Sequence, residues 1–399
     1  MVDMGRLMRI VIINEYIAAG GAEVIADLQE EILKAEGHEI LRLYFNKNKY
    51  DATYDKGLKS NQELIRCSKI SKTIVNPFFK DRIKGYLTRI NPDIIITHNV
   101  FSSPLSVYSA LEGYKVLHIA HDASMLCPTS EYTYRKGECR ICSGRSSPKC
   151  FRKCANSPID GIKLLMKKAM LDRLNPMAKD VIRLVIAPSN YLSTLLSDDG
   201  FVSCTINNPI ESDCFAEPKV RGNTGRFAYC GGLSVNKGLL LLLDAIDKWE
   251  SCESGFSVDV YGGGDESLIG MINKSNRAEY KGLVSHSDLL TLLKDYDYII
   301  IPSTWLENYP TMALEAMLCG VVVIGAGIGG IPEIIGDGRG IVFEHGSSMA
   351  LTEAIEACFR MPDEEYNRIR LRAYDYVKKN NSIDMYKDRM RTAVENVAE

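Results

Sequence analysis

Two glutamates eight residues apart, Glu307 and Glu315, carry the most informative chemical spacing in the chain. Glu307 stands just ahead of Asn308-Tyr309-Pro310, a string with helix-start chemistry. Asn can cap a helix, and Pro tolerates the first helical position because its missing N–H had no intrahelical partner. Glu315 falls one turn beyond Thr311 in the helix that follows, so both carboxylates can face one crevice. A carboxylate repels phosphate, so in such a crevice the pair would accept hydrogen bonds from sugar hydroxyls. An isolated pair would read as a solvated loop residue and an exposed helix charge. Lys237, at another strand-to-helix turn, is placed for a diphosphate charge. His98 and His121 each close a short apolar run, with Asp122 following the second.

The elements that must position these residues are legible from apolar patterning. Ile299 to Ile301 reads as a buried parallel strand, Thr311 to Cys319 as a helix stopped by Gly320, and Val321 to Ile324 as a second buried strand. Such a strand–helix–strand unit points free backbone N–H groups at the strand's carboxyl end, where open α/β sheets bind phosphates. Near the N-terminus, the strand Met8 to Ile13 delivers Asn14-Glu15-Tyr16. Gly20 and Gly21 then open an amphipathic helix, and glycines at such a turn let backbone approach a ligand closely. Residues 51–92 are polar and basic and read as helical, with no site assigned. Strands Ile94 to Thr97 and Lys115 to Ala120 end at His98 and His121, and strand Leu184 to Ala187 closes the half. A linker, Asn207 to Gly225, separates it from the strand Phe227 to Cys230, the turn Gly231 to Gly238 and the Leu-rich helix Leu239 to Trp249.

The run E-N-Y-P-x-x-x-L-E-A-M-x-C-G from Glu307, with its G-G-x-P-E tail, resembles the E-x7-E region of retaining GT-B glycosyltransferases, family 4, bacterial polysaccharide type. The resemblance implies two Rossmann-like domains facing across a cleft. It implies transfer from a nucleotide-diphospho-sugar with retention, without metal in catalysis. Glu315 would hold a ribose and Glu307 the donor sugar, with Asn308, Tyr309, Pro310, Thr311 and Met312 lining the pocket. Gly20 and Gly21 would lie beside the donor phosphate, and His121 would reach the donor sugar from the N-terminal domain. His98 and Asp122 would face the acceptor side. Gly232, Lys237 and Gly264 would lie against the donor, and the segment around Lys281 and Val284 would read the base through its backbone. Family members commonly carry Arg where this chain has Gly232, so one of two expected cations is missing. Catalysis would rest on Glu307, His121 and Lys237. A catalytically silent glycan- or membrane-binding protein and a sugar-nucleotide epimerase are the alternatives.

Two strings imitate other chemistry. Asp295-Tyr296-Asp297 looks like a D-x-D metal motif, yet it sits where a helix gives way to a strand and reads as structural. Gly325 to Gly330 fits G-x-G-x-x-G, but its helix is cut short by Gly336, which weakens a dinucleotide reading.

Length 399 suggests two ordinary domains. The expected boundaries are 1–205, acceptor side, with a Cys-rich insertion at 127–154; 206–380, donor side; and 381–399, a last helix returning to the first domain. With 46% hydrophobic and 25% charged residues, and no apolar run near a membrane-spanning length, the chain reads as globular and cytoplasmic. Residues 1–210 hold 29 Lys and Arg against 22 Asp and Glu, and the remainder 19 against 29, so a +7 half precedes a −10 half. No nucleic-acid motif accompanies the basic half, which points instead to an anionic membrane surface. There the stretch 160–180 reads as a core helix or as an interfacial one. The expected partners are thus a nucleotide sugar, a glycan or lipid-linked acceptor and such a surface. Cys139, Cys142, Cys150 and Cys154 follow C-x2-C-x7-C-x3-C. That spacing could close a structural zinc site or leave free thiols.

Overall fold

A computed structural model describes residues 7–18, 21–48, 58–66, 74–100, 103–129, 133–134, 137–138, 155, 157–211, 215–249 and 256–399. The chain divides into two compact units. One comprises 1–132, 140–206 and 387–399, and the other 133–139 and 207–386.

The first unit is built on β1 (Arg9–Ala18), β2 (Glu39–Asn48), β3 (Gln62–Leu64), β4 (Ile94–Thr97) and β5 (Val116–Ile119). A two-stranded hairpin, β6 (Thr133–Tyr134) with β7 (Gly137–Glu138), groups with the second unit, and β8 (Ile182–Ala187) and β9 (Ser203–Thr205) complete the first. Its seven-stranded sheet runs β3-β2-β1-β4-β5-β8-β9, all parallel. Ile94, Ile95 and Ile96 of β4 are fully buried, as a strand covered on both faces requires. β1 runs past the expected Ile13 because β2 continues beside it, pairing Asn14 with Tyr44 and Tyr16 with Asn46. Asn14 and Glu15 are therefore buried strand residues rather than loop residues. Within 51–92 the described elements are β3 and the helix Pro77–Ile90, capped by Asn76, whose side chain accepts from Phe79 N.

The second unit holds β10 (Phe227–Cys230), β11 (Val258–Tyr261), β12 (Ala278–Gly282), β13 (Tyr298–Ile301), β14 (Val322–Ala326) and β15 (Ile341–Phe343). Their order is β12-β11-β10-β13-β14-β15, all parallel. Counted within the unit this is 3-2-1-4-5-6, the doubly wound order, whose direction reverses between β10 and β13. In open α/β sheets the loops beyond the strand ends at such a reversal are where ligands bind.

The last helix, Ile383–Ala398, lends its final turns to the first unit. Arg391 pairs with Glu36 at 2.8 Å, Arg183 donates to the carbonyl of Val397, and Lys115 to that of Ala398. Among the described residues, no helix is long and apolar enough to cross a membrane.

Candidate active site

The two loops at the reversal point of the second sheet are locked together by backbone. After β10 the chain makes a short turn, Val235–Lys237, and enters the helix Leu239–Asp247 through Gly238. Gly238 has φ +78°, and a Cβ there would stand 1.8 Å from the carbonyl oxygen of Pro302, directly after β13. Only glycine allows that approach. Thr304 N donates to Asn236 O at 2.9 Å, closing the contact from the other side.

This clamp brings Lys237 to Glu307. Lys237 Nζ lies 2.6 Å from Glu307 Oε1, which also accepts from Ser303 Oγ and Trp305 Nε1, each at 2.8 Å. The lysine also stands over the Trp305 ring at 4.8 Å from its centre. The Lys237 side chain is 34% exposed, so the ion pair adds only about 0–1 kcal/mol to folding. Its value lies in placement: three donors fix one carboxylate oxygen, and a cation is held beside it. Behind Glu307, Gly330 N donates to the Glu307 carbonyl, and Gly329, at φ +62°, would put a Cβ 2.2 Å from that oxygen. The glycine run after β14 thus packs against the loop that carries Glu307.

Glu315 has a different partner. It sits in the helix Thr311–Leu318, nine-tenths buried, with Oε1 2.9 Å from His286 Nε2. Pro310, at the N-cap of that helix, supplies no side-chain cap. Asn308 is therefore not the cap its sequence position suggested, because Tyr309 and Pro310 intervene before the first helical residue. Thr311 is exposed, Asn308, Pro310 and Met312 are half-buried, and Tyr309 is buried with its hydroxyl against Asn381. Gly232 leaves open space where a Cβ would stand, and its carbonyl accepts from Tyr229. Gly264 bridges to Leu233, whose carbonyl would meet a Cβ at 2.3 Å. Lys281 Nζ is engaged by Glu279 at 2.7 Å and Asp259 at 3.5 Å. Val284 is half-buried.

In the first unit, Gly21 opens the helix Gly21–Ala35, and Gly20 lies outside the described residues. His98 is fully buried, with Nδ1 2.9 Å from His121 Nε2. A buried imidazole cannot itself touch an acceptor, which corrects the acceptor-side placing of His98 and puts it behind His121. Burial pushes the His121 pKa down to about 4, and burial with the neighbouring His121 pushes His98 well below its ordinary value. Asp122 Oδ1 accepts from Ser124 N at 2.8 Å, a local turn contact.

Cys139, Cys142, Cys150 and Cys154 lie outside the described residues, among which no group of three or more His, Cys, Asp or Glu could hold a metal. Asp297 of the D-x-D string is fully buried. It accepts from Thr224, Arg226 N and Tyr366 and pairs with Arg221, which makes it a structural hub. Sequence reasoning missed Ser303, Trp305 and His286. The first two sit within four residues of Glu307, but nothing in residue type alone aims them at it.

Residues 213–376 match the family described as Glycosyl transferases group 1. Over 98% of this chain and all of theirs, the Anabaena Alr3699/HepE structure in complex with UDP superposes with TM-score 0.69 at 17% identity. The fold is that of a GT-B glycosyltransferase. Sucrose-phosphate synthase from Thermosynechococcus elongatus superposes on this GT-B chain equally well, with TM-score 0.69 at 16% identity over 98% of this chain and 99% of its own. In sequence, the GT-B chain is 29% identical over 122 residues, 31% of its length, to an uncharacterized 41.2 kDa protein in the cps region of Klebsiella pneumoniae. It is 41% identical over 54 residues, 14% of its length, to D-inositol 3-phosphate glycosyltransferase of Mycobacterium bovis. These matches span 33% and 11% of the two relatives' own lengths.

Proposed function

We propose that this protein is a retaining glycosyltransferase that moves a sugar from a nucleotide-diphospho-sugar to a lipid-linked or growing polysaccharide acceptor. One observation carries the reading: Lys237 and Glu307 meet at 2.6 Å at the reversal point of the second sheet. A cation and a carboxylate side by side suit the junction of a diphosphate and a sugar. Lys237 would take charge from the departing diphosphate, as would the start of the helix Thr311–Leu318, which has no side-chain cap. Glu307, already aligned by Ser303 and Trp305, would accept from a sugar hydroxyl, and Glu315 from the ribose. Charge stabilisation of this kind needs no metal in the reading. Retention and family 4 membership rest on the E-x7-E resemblance. A role for His121 rests on the same resemblance. Donor binding is assigned to 206–380 and acceptor binding to 1–205.

The helix Pro158–Val181 supports an acceptor held at a membrane. Leu171, Leu174, Ala178 and Val181 are buried, whereas Ile159, Ile162, Leu165 and Met166 are 51–66% exposed and lie on one stripe. Lys163, Lys167 and Arg173 are exposed on the same helix, a composition suited to anionic lipid. Zinc at the four cysteines stays part of the proposal, to be decided by metal analysis of the wild-type protein and of Cys139→Ser.

The function is tested by thermal shift against a panel of nucleotide sugars, beginning with UDP and UDP-glucose, which the Anabaena structures contain, followed by turnover. Stabilisation with sugar release or transfer is the expected result. Stabilisation without turnover would favour a silent binding protein, the alternative that Gly232 in place of the usual Arg keeps open. Conversion of the nucleotide sugar alone to an isomer would indicate an epimerase.

A further inference from the structure

The first unit buries a polar layer beneath the helix Gly21–Ala35. Asn14 of β1, Arg42 of β2 and His98 just past β4 are all fully buried. β1 pairs Ile12 with both Arg42 and Ile96, and His98 N continues the ladder by donating to Ile13 O. Side chains alternate along a strand, so Asn14, Arg42 and His98 share one face. That face is the helix's, since Arg42 donates to Ala26 O and pairs with Asp27 and Glu30.

At the end of the layer, His98 Nδ1 stands 2.9 Å from His121 Nε2, with ring centres 5.2 Å apart and planes 19° apart. Two imidazoles joined nose to nose give that centre spacing, so the contact is an in-plane hydrogen bond rather than a stack. With both rings neutral, a nitrogen-to-nitrogen bond holds a single proton, and two arrangements are open. If His121 Nε2 carries it, His98 Nδ1 is bare and its own proton sits on Nε2. If His98 Nδ1 carries it, His98 Nε2 is a bare lone pair.

The surroundings decide between them. Among the described residues His98 Nε2 is buried without a partner, as are Asn14 Nδ2, Asn14 Oδ1, Arg42 Nε and Arg42 Nη2. Among the unmet atoms of Asn14 and Arg42, donors therefore outnumber acceptors. A further buried N–H would deepen the mismatch, whereas a lone pair reduces it. The Arg42 cation also favours a lone pair over an N–H dipole in its neighbourhood.

We propose that His98 is a positioning residue that donates Nδ1–H to His121 Nε2, and so fixes His121 as the neutral tautomer protonated at Nδ1. The catalytic consequence rests on the glycosyl-transfer reading. Protonated at Nδ1 and engaged at Nε2, His121 has no lone pair left to take a proton and cannot serve as the base that deprotonates an acceptor.

The test is a long-range proton–nitrogen correlation spectrum of the full chain with 15N-labelled histidine, in which His121→Gln assigns the His121 signals among six histidines. The expected result is a proton on His121 Nδ1 in the wild type. In His98→Leu, which has no donor, His121 should shift to the Nε2–H form or a mixture. His98→Asn, whose amide nitrogen occupies the place of Nδ1, should keep the wild-type pattern. Turnover in His98→Leu should fall roughly 10- to 100-fold and be largely restored in His98→Asn, with donor KM moving less than about threefold. A wild-type His121 protonated at Nε2, or an unchanged pattern in His98→Leu, overturns the proposal. Should the leucine variant not fold, Nε2 protonation of His121 in His98→Asn overturns it instead. A wild type with the expected tautomer but no sugar transfer on any donor would remove the glycosyl-transfer reading and leave the proton assignment standing.

Discussion

Lys237 and Glu307 stand seventy positions apart in the chain and share a hydrogen bond. Glu307→Gln keeps the shape of the side chain but removes the charge that holds Lys237. Turnover should fall on the order of 100-fold or more, with nucleotide affinity within a few-fold by titration calorimetry. Gly232→Arg meets no atom within 4 Å at its Cβ, so the fold should be undisturbed. The added cation should tighten nucleotide-diphosphate binding, and an unchanged affinity would mean that Gly232 lies away from the diphosphate. Four histidines of the first unit, His38, His98, His118 and His121, have pKa values lowered by burial, the last two to about 3 and about 4. The native state then resists protons that the unfolded chain accepts from about pH 6.5 downward. Stability contributed by these groups is complete above that pH and is lost as pH falls toward 4, so urea midpoints should drop between pH 7 and 5. At residue scale, Glu307 and Lys237 could be picked out from type and setting. Ser303 and Trp305 could not, because hydrogen-bond direction depends on rotamers set by packing.

Among the elements, the loops at the sheet reversal depend on glycines with no alternative. Gly238→Ala would force a Cβ to 1.8 Å from Pro302 O, and Gly329→Ala one to 2.2 Å from Glu307 O. Each should cost on the order of 2–4 kcal/mol in denaturant titration and, on the proposed function, weaken donor binding as well, since the displaced backbone carries Lys237 and Glu307. Asp297→Ala, by contrast, removes a buried carboxylate that gathers Thr224, Arg226 and Tyr366 and pairs with Arg221. It should destabilise by about 3–5 kcal/mol, and added Mn2+ or Mg2+ should not restore what is lost. The helix Pro158–Val181 should carry the protein to the top of a flotation gradient with anionic liposomes at low salt. Ile162→Asp with Leu165→Asp should abolish flotation without altering the thermal midpoint. Patterning located this helix but left its outward face open, since an apolar stripe reads alike whether it meets a core or a lipid.

For the whole molecule, the last helix ties the C-terminus to the first unit through Arg391, Val397 and Ala398. Deletion of residues 387–399 should lower the thermal midpoint of the first unit by several degrees. Nucleotide binding, assigned to the second unit, should persist in calorimetry. Apolar runs such as Ile94–Ile96 and Ile299–Ile301 marked by themselves the strands that are buried on both faces, the composition that parallel sheets favour. The strand-end placing of the histidines and the glutamate spacing were equally a matter of local sequence. Tertiary structure alone decided the partners: Glu307 with Lys237, Glu315 with His286, and His98 behind His121. Those pairings are set by strand order and by how closely backbones approach at Gly238 and Gly329. Both are properties of three-dimensional packing that residue spacing along the chain does not encode.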